Sequence, residues 1–167
     1  MTVDVSALAA YQAQMEARIG QRHRHHLGVV DGRMIRRYAL AIGETNPIHQ
    51  DEQAARAAGY AGLVAPPNML SAIVEWGAGH PEAELTPDGT ARGTETGSLR
   101  VMGAGEEMEL ITPVIEGTDL YSEELVEKVE AKSGRSGPLL FVTIRHDFVD
   151  AAGTLFNRNR RTILARP

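Results

Sequence analysis

The sequence predicts a single α+β domain spanning residues 1–167, and three observations carry that prediction. Apolar residues recur at helical spacing through the first part of the chain, strand-like segments fill it after about Thr86, and the segment between them is apolar nearly all round. Helices followed by a run of strands argue against an alternating βαβ fold, and 167 residues are too few for two comfortable domains.

Ser6 to Ile19 reads as the first helix, because Leu8, Tyr11, Met15 and Ile19 recur at three- and four-residue spacing and Gly20 supplies a stop. "QRHRHHLGVVDG" is polar and then briefly apolar, and gives no clear element. Asp31 is placed to cap a second helix, in which Ile35, Tyr38, Ala39 and Ile42 share a face and Gly43 stands just past the end. Asp51 is placed to cap a third, short helix, "EQAARAA", closed by Gly59. Pro66 and Pro67 then precede Met69, Leu70, Ile73, Val74 and Trp76. Proline is tolerated in a first helical turn, where the N–H it lacks would have no partner, so a buried helix is expected from Pro67 to about Gly77.

Residues 80–97, rich in Pro, Gly, Thr and acidic side chains, read as a surface loop between the helical and strand halves. Five strand-like segments follow: "GSLRVMG", "EEMELITPVI", "DLYSEELVEKVEAKSG", "PLLFVTIRHDFVD" and "TLFNRNRRTILAR". Leu140, Val142 and Ile144 alternate with Thr143, Arg145 and Asp147, as a sheet with one buried face requires. "EELVEKVEAK" also fits a helix, through Leu125, Val126 and Val129, but it has no obvious cap and its neighbours offer it antiparallel partners. "VDAAGTL" reads as a hairpin turn. One very apolar helix and about five strands suggest a sheet wrapped around that helix.

Composition narrows the function. A net charge of −5 argues against general nucleic-acid binding, which needs a positive field to displace counterions from phosphates. The absence of cysteine removes disulfides, thiolate nucleophiles and cysteine zinc sites, leaving oxygen and nitrogen groups for any chemistry. No segment has the pattern of a cleaved leader or a bilayer span, so a cytoplasmic location is expected.

"GETNPIHQD", Gly43 to Asp51, is the stretch richest in chemistry. Pro47 biases Asn46 towards an extended conformation, so Glu44 and His49 hang on a stiffened loop that can aim both at one point. A carboxylate and an imidazole converging on one water are the minimal parts of general acid–base catalysis, and the N–H groups opening the next helix could face a developing negative charge. The same residues also suit a plain solvated turn, and the pattern alone leaves both readings open.

"YALAIGETNPIHQDEQAARAAGY" resembles the hydratase signature of the MaoC-like dehydratases and (R)-specific enoyl-CoA hydratases, in which an aromatic, a Gly, an Asp, Asn-Pro-aliphatic-His and an acidic residue follow in order. "GLVAPPNML", "VMGAGEEMELITPVIEGTDL" and "KSGRSGPLLFVTIRHDF" resemble the FAS1-like dehydratase branch of that group, so the resemblance runs from about Gly20 to Arg166. It implies a hot-dog fold, an antiparallel sheet around a long central helix. It also implies a homodimer or heterodimer of hot-dog domains that binds an acyl-CoA or acyl carrier protein thioester and adds or removes water, with no separate cofactor. By this resemblance His49 matches the catalytic histidine, Asn46 and Pro47 match the motif, and Glu44 stands where the family has aspartate. A second departure is at Pro67, near the start of the central helix, where the hydratases use a glycine N–H; the N–H groups of Asn68 or Met69 are left to serve as substrate-binding donors. Some subunits of this branch are non-catalytic partners, and an unusual biosynthetic substrate is a further alternative.

Three other features invite a role. Arg158 and Arg160, with Arg161, form a basic cluster on the last strand, suited either to carrier phosphates or to a solvated face. "HRHH" (His23, Arg24, His25, His26) is a weak metal signal without a carboxylate at ligand spacing, so no metal is expected. His146 and His80 read as an edge or surface residue and an exposed loop residue.

Overall fold

The computed structural model describes residues 5–76, 99–135 and 137–167. In chain order these form α1 (Val5–Ala17), β1 (His23–Val29), α2 (Gly32–Ala41), a 3-10 turn (Pro47–His49), α3 (Glu52–Ala57), α4 (Met69–Trp76), β2 (Arg100–Leu110), β3 (Asp119–Gly134), β4 (Gly137–Val149) and β5 (Leu155–Arg166). The predicted loop over residues 80–97, His80 within it, and the expected helix end at Gly77 lie outside the described residues.

The strands make one antiparallel sheet in the order β1-β3-β4-β5-β2. The ambiguous "EELVEKVEAK" stretch is strand because it is flanked on both sides, pairing with β1 at one end and with β4 along its length. Two expectations need correction. "GSLRVMG" and "EEMELITPVI" are not separate strands: β2 runs from Arg100 in the first to Leu110 in the second, and the small residues between them make a register shift at Gly103–Gly105, where Gly105 has φ +147°. The fifth strand is instead β1, in the polar "HRHH" region. Its side chains from His23 to His26 are exposed because it is an edge strand, and it therefore lacks the alternation that marks a buried one.

One face of the sheet carries the core. Leu140, Val142 and Phe148 point the same way along β4 and each is fully buried. At one end Leu8 and Met15 of α1 pack on Val126, Leu140, Val142 and Ala165; at the other, Ile35 of α2 and Met69 and Leu70 of α4 pack on Leu120, Phe148 and Phe156. Burying a side chain of this size contributes about 1.5–3 kcal/mol.

Between these apolar ends runs a polar belt. Ser122 Oγ lies 3.3 Å from His146 Nδ1, and Asn159 Nδ2 donates to Ser71 Oγ, which donates in turn to Glu106 at 3.0 Å. Burial holds the His146 imidazole below its ordinary value of 6.5, with Arg161 and His25 acting in the same direction and Glu124 and Glu106 opposing. The unfolded chain therefore takes up this proton before the folded one does. Stability is expected to fall as pH drops below about 6.5, by at most about 1.4 kcal/mol per pH unit. A pH series of urea melts checks this, and His146→Gln should flatten the response.

The opposite face of β3, β4, β5 and β2 carries a closed ion network. Arg158 Nε bonds Asp147 Oδ1 at 2.7 Å, Arg145 Nε lies 3.4 Å from Asp147 Oδ2, and Glu127 bridges Arg145 and Arg160, each at 3.0 Å. Asp147 is 5% exposed, so its removal would leave two guanidinium groups without their buried anion. Asp147→Ala is expected to cost about 3 kcal/mol, because breaking a buried pair strands the remaining charge. A lowered urea midpoint with an unchanged slope would show it.

Candidate active site

The "GETNPIHQD" stretch is a chain of caps. Asp31 opens α2 by accepting from Arg33 and Met34 N–H. Gly43, at φ +71°, closes it: Gly43 N–H bonds Leu40 O and Glu44 N–H bonds Ala39 O, the two bonds of a Schellman ending that needs a left-handed residue. Asn46 Oδ1 then caps the 3-10 turn by accepting from Ile48 N–H at 3.2 Å, with Pro47 in its first position. Asp51 caps α3 through Gln53 and Ala54 N–H. Gln50 Nε2 ties back to Glu44 O at 2.6 Å, so each end of the loop is fixed by bonds a few residues long.

His49 sits at the end of this turn and is 6% exposed. Its Nδ1 lies 2.6 Å from Val64 O. A carbonyl only accepts, so Nδ1 carries the hydrogen and the neutral ring keeps its lone pair on Nε2. Val64 N–H in turn bonds Ile48 O at 3.1 Å, which locks the turn to the segment leading into α4. His49 lines a pocket of about 390 Å³ whose other walls include Val64, Pro66, Pro67, Leu70, Leu110, Ile111, Val114 and Asn157. The lining is mostly apolar, with the His49 imidazole on one side.

Glu44 is placed differently. Its Oε1 accepts the Asn46 N–H at 2.9 Å, and it does not line the pocket. The Asn46 N–H is the main cause holding its carboxyl below the usual 4.5; the Thr45 N–H and the neighbouring His49 add to it, against a smaller effect of burial. The carboxylate is thus ionised at neutral pH near His49, with no ion pair or hydrogen bond between the two side chains.

The family model of the FAS1-like dehydratase domain region matches residues 17–156. The chain belongs to this family. A relative from Thermomonospora curvata, named as a probable enoyl-CoA hydratase alpha subunit, is 29% identical over 163 residues, covering 92% of this chain. This chain spans about half (51%) of that relative's length. Among solved structures, the HadBC (3R-hydroxyacyl-ACP dehydratase) complex of Mycobacterium tuberculosis superimposes with a TM-score of 0.68 at 19% identity, over 88% of this chain and 96% of that one. The MaoC-like dehydratase of Rhodospirillum rubrum does so with a TM-score of 0.62 at 24% identity, over 89% and 92%. The α+β architecture is therefore the hot-dog fold, with α4 laid on the five-stranded antiparallel sheet.

Set in this FAS1-like dehydratase fold, the expected site residues separate. His49 and Pro67 share the pocket. Asn46 orients the loop as a cap, and Asn68 lies exposed beside the pocket, its N–H bonding no backbone acceptor among the described residues. Met69 is a correction: its N–H is taken by Pro66 O at 2.9 Å and its side chain is 1% exposed within the core, so it offers no donor. Arg158 and Arg160 are corrections too. They sit on the sheet face opposite Asn157 and are engaged by Asp147, Glu109 and Glu127, so their charge is already matched and they do not line the pocket. In "HRHH", His26 pairs with Asp119 at 2.6 Å and packs on Tyr121, and the Arg24 guanidinium lies 4.4 Å from the centre of the same ring. Sequence reading missed Asn157, whose only signal was its place one strand residue before the basic cluster.

Proposed function

We propose that the protein is a hydro-lyase that adds water to an enoyl thioester, or removes it from the 3-hydroxyacyl thioester, with the acyl group carried on CoA or an acyl carrier protein. The observation that supports this most is His49, anchored through Nδ1 and presenting a bare Nε2 to a largely apolar pocket in a dehydratase fold. Nε2 takes one proton from water as the oxygen bonds to C3, and the imidazolium passes that proton on to C2, so the sum is water added across the double bond. Ionised Glu44 stabilises the imidazolium formed on the way. To the charge that develops on the thioester oxygen this reading assigns the Asn68 N–H, next to pocket-lining Pro67 and with no backbone acceptor among the described residues. The carrier is part of the substrate, and no further cofactor enters the scheme.

A second hot-dog domain, identical or different, belongs to this reading. The HadBC neighbour is a complex and the Thermomonospora relative is an alpha subunit. Here the pocket wall includes Leu110 (58% exposed) and Ile111 (50% exposed), at the end of edge strand β2, so part of the site stands open where a partner would cover it. Because Glu44 is turned onto its own loop, a second reading is favoured by that contact: an acyl-binding subunit that supports a catalytic partner. Crotonyl-CoA hydration by the purified chain, lost in His49→Ala, supports the enzyme. Activity that needs a second chain and survives His49→Ala supports the partner.

A further inference from the structure

Asn157 is the second polar side chain that lines the pocket while more than nine-tenths buried, at 4% exposed. It follows a bulge on β5: the register with β4 shifts between Phe148 and Val149, leaving Phe156 unpaired there, and Asn157 lies opposite Phe148 on one side and Leu110 on the other. The carbonyl of Phe156 accepts the N–H groups of both Ile111 and Thr112, so the same bulge holds the adjoining pocket wall.

The amide's orientation is fixed by its one bond. Asn157 Nδ2 donates to Pro67 O at 3.1 Å, and since a carbonyl cannot donate, the oxygen is the other arm. That Oδ1 accepts no hydrogen bond from a described residue. Asn159 Oδ1, two residues on, is also bare but fully enclosed; Asn157 Oδ1 is not sealed in this way. A buried residue with one arm anchored and an acceptor left over is suited to a ligand that donates.

The chemistry of the proposed reaction selects that ligand. The reacting carbons of an enoyl thioester and its carbonyl offer no donor, whereas the attacking water and the 3-hydroxyl of the product each offer one. We propose that Asn157 is a substrate-binding residue whose Oδ1 accepts a hydrogen bond from the 3-hydroxyl of a 3-hydroxyacyl thioester and, in hydration, from the attacking water. In the forward step one water proton goes to His49 Nε2 and the other stays on oxygen, directed at Asn157 Oδ1, while that oxygen bonds to C3. The assignment rests on the hydro-lyase reading and names the substrate group that this site recognises.

The test compares dissociation constants for 3-hydroxybutyryl-CoA and butyryl-CoA, which differ by the hydroxyl, by calorimetric titration. The intact protein should prefer the hydroxy compound about tenfold, the worth of one hydrogen bond in a buried site. Asn157→Leu should reduce that preference, read as the ratio of the two dissociation constants in the same variant, to about twofold or less. Asn157→Asp retains an acceptor in either protonation state and should keep the preference, which also covers a Leu variant that fails to fold. The assignment is overturned if Asn157→Leu keeps the preference, if it weakens both ligands equally, or if Asn157→Asp folds and loses it. Binding of both thioesters with equal affinity by the intact protein sinks the assignment alone; binding of neither sinks the hydro-lyase reading with it.

Discussion

His49→Ala is expected to lower kcat for crotonyl-CoA hydration about 10³-fold while KM changes little, because a positioned general base contributes roughly 10²–10⁴ and the side chain's role falls in the reacting step. The expectation follows from the ring's anchoring. With Nδ1 bound to Val64 O, the imidazole can neither turn nor change tautomer without losing a 2.6 Å bond in a buried position, so Nε2 is held ready. His49→Gln makes the experiment sharper. Its amide can replace the bond to Val64 O and keep the turn folded, yet it supplies no base, so it should be as inactive as Ala while melting closer to the intact protein. Equal activity of either variant and the intact protein would remove His49 from the chemistry.

The loop around His49 was legible in the sequence because its determinants are local. Asp31, Gly43, Asn46, Pro47, Asp51 and Gly59 each act through bonds to residues within about one helical turn, and each stands where capping rules put it. What the sequence did not disclose depends on register between strands far apart in the chain. The basic cluster looked available because Asp147, Glu127 and Glu109, which neutralise Arg158 and Arg160, come from three other strands. Asn157 went unremarked because its partner, the Pro67 carbonyl, lies ninety residues earlier in the chain. β1 escaped for a third reason: an edge strand with exposed His23, Arg24, His25 and His26 has no buried face to imprint a period of two. Met69 shows the same limit in a helix, since the competition of Pro66 O for its N–H follows from the turn's geometry and not from residue type.

Glu44→Gln is expected to lower kcat about 10²-fold with little change in melting temperature, and the contrast with Glu44→Asp tells what the longer side chain is for. The structural task of Glu44 is to accept the Asn46 N–H at 2.9 Å, which a neutral amide oxygen also does, by a weaker bond than a carboxylate makes. Its electrostatic task, stabilising a positive charge on His49, is lost with the charge. Gln therefore separates the two, whereas Ala removes both and should also loosen the loop. Because backbone N–H groups hold the Glu44 carboxyl below its ordinary 4.5, its ionisation favours the folded loop above that value and is lost as pH falls through the lower folded one. The titration of Glu44 should accordingly add no pH dependence to activity above about pH 5, and the Gln variant should keep the shape of the neutral pH profile at reduced height. Glu44→Asp keeps the charge but withdraws it by one methylene. Activity at or above that of the intact protein would mean that the loop still accommodates the family's aspartate. A fall to the level of Gln would mean that Asn46 and His49 are now spaced for the longer acid, and retention of full kcat by Glu44→Gln would leave Glu44 as a loop cap alone.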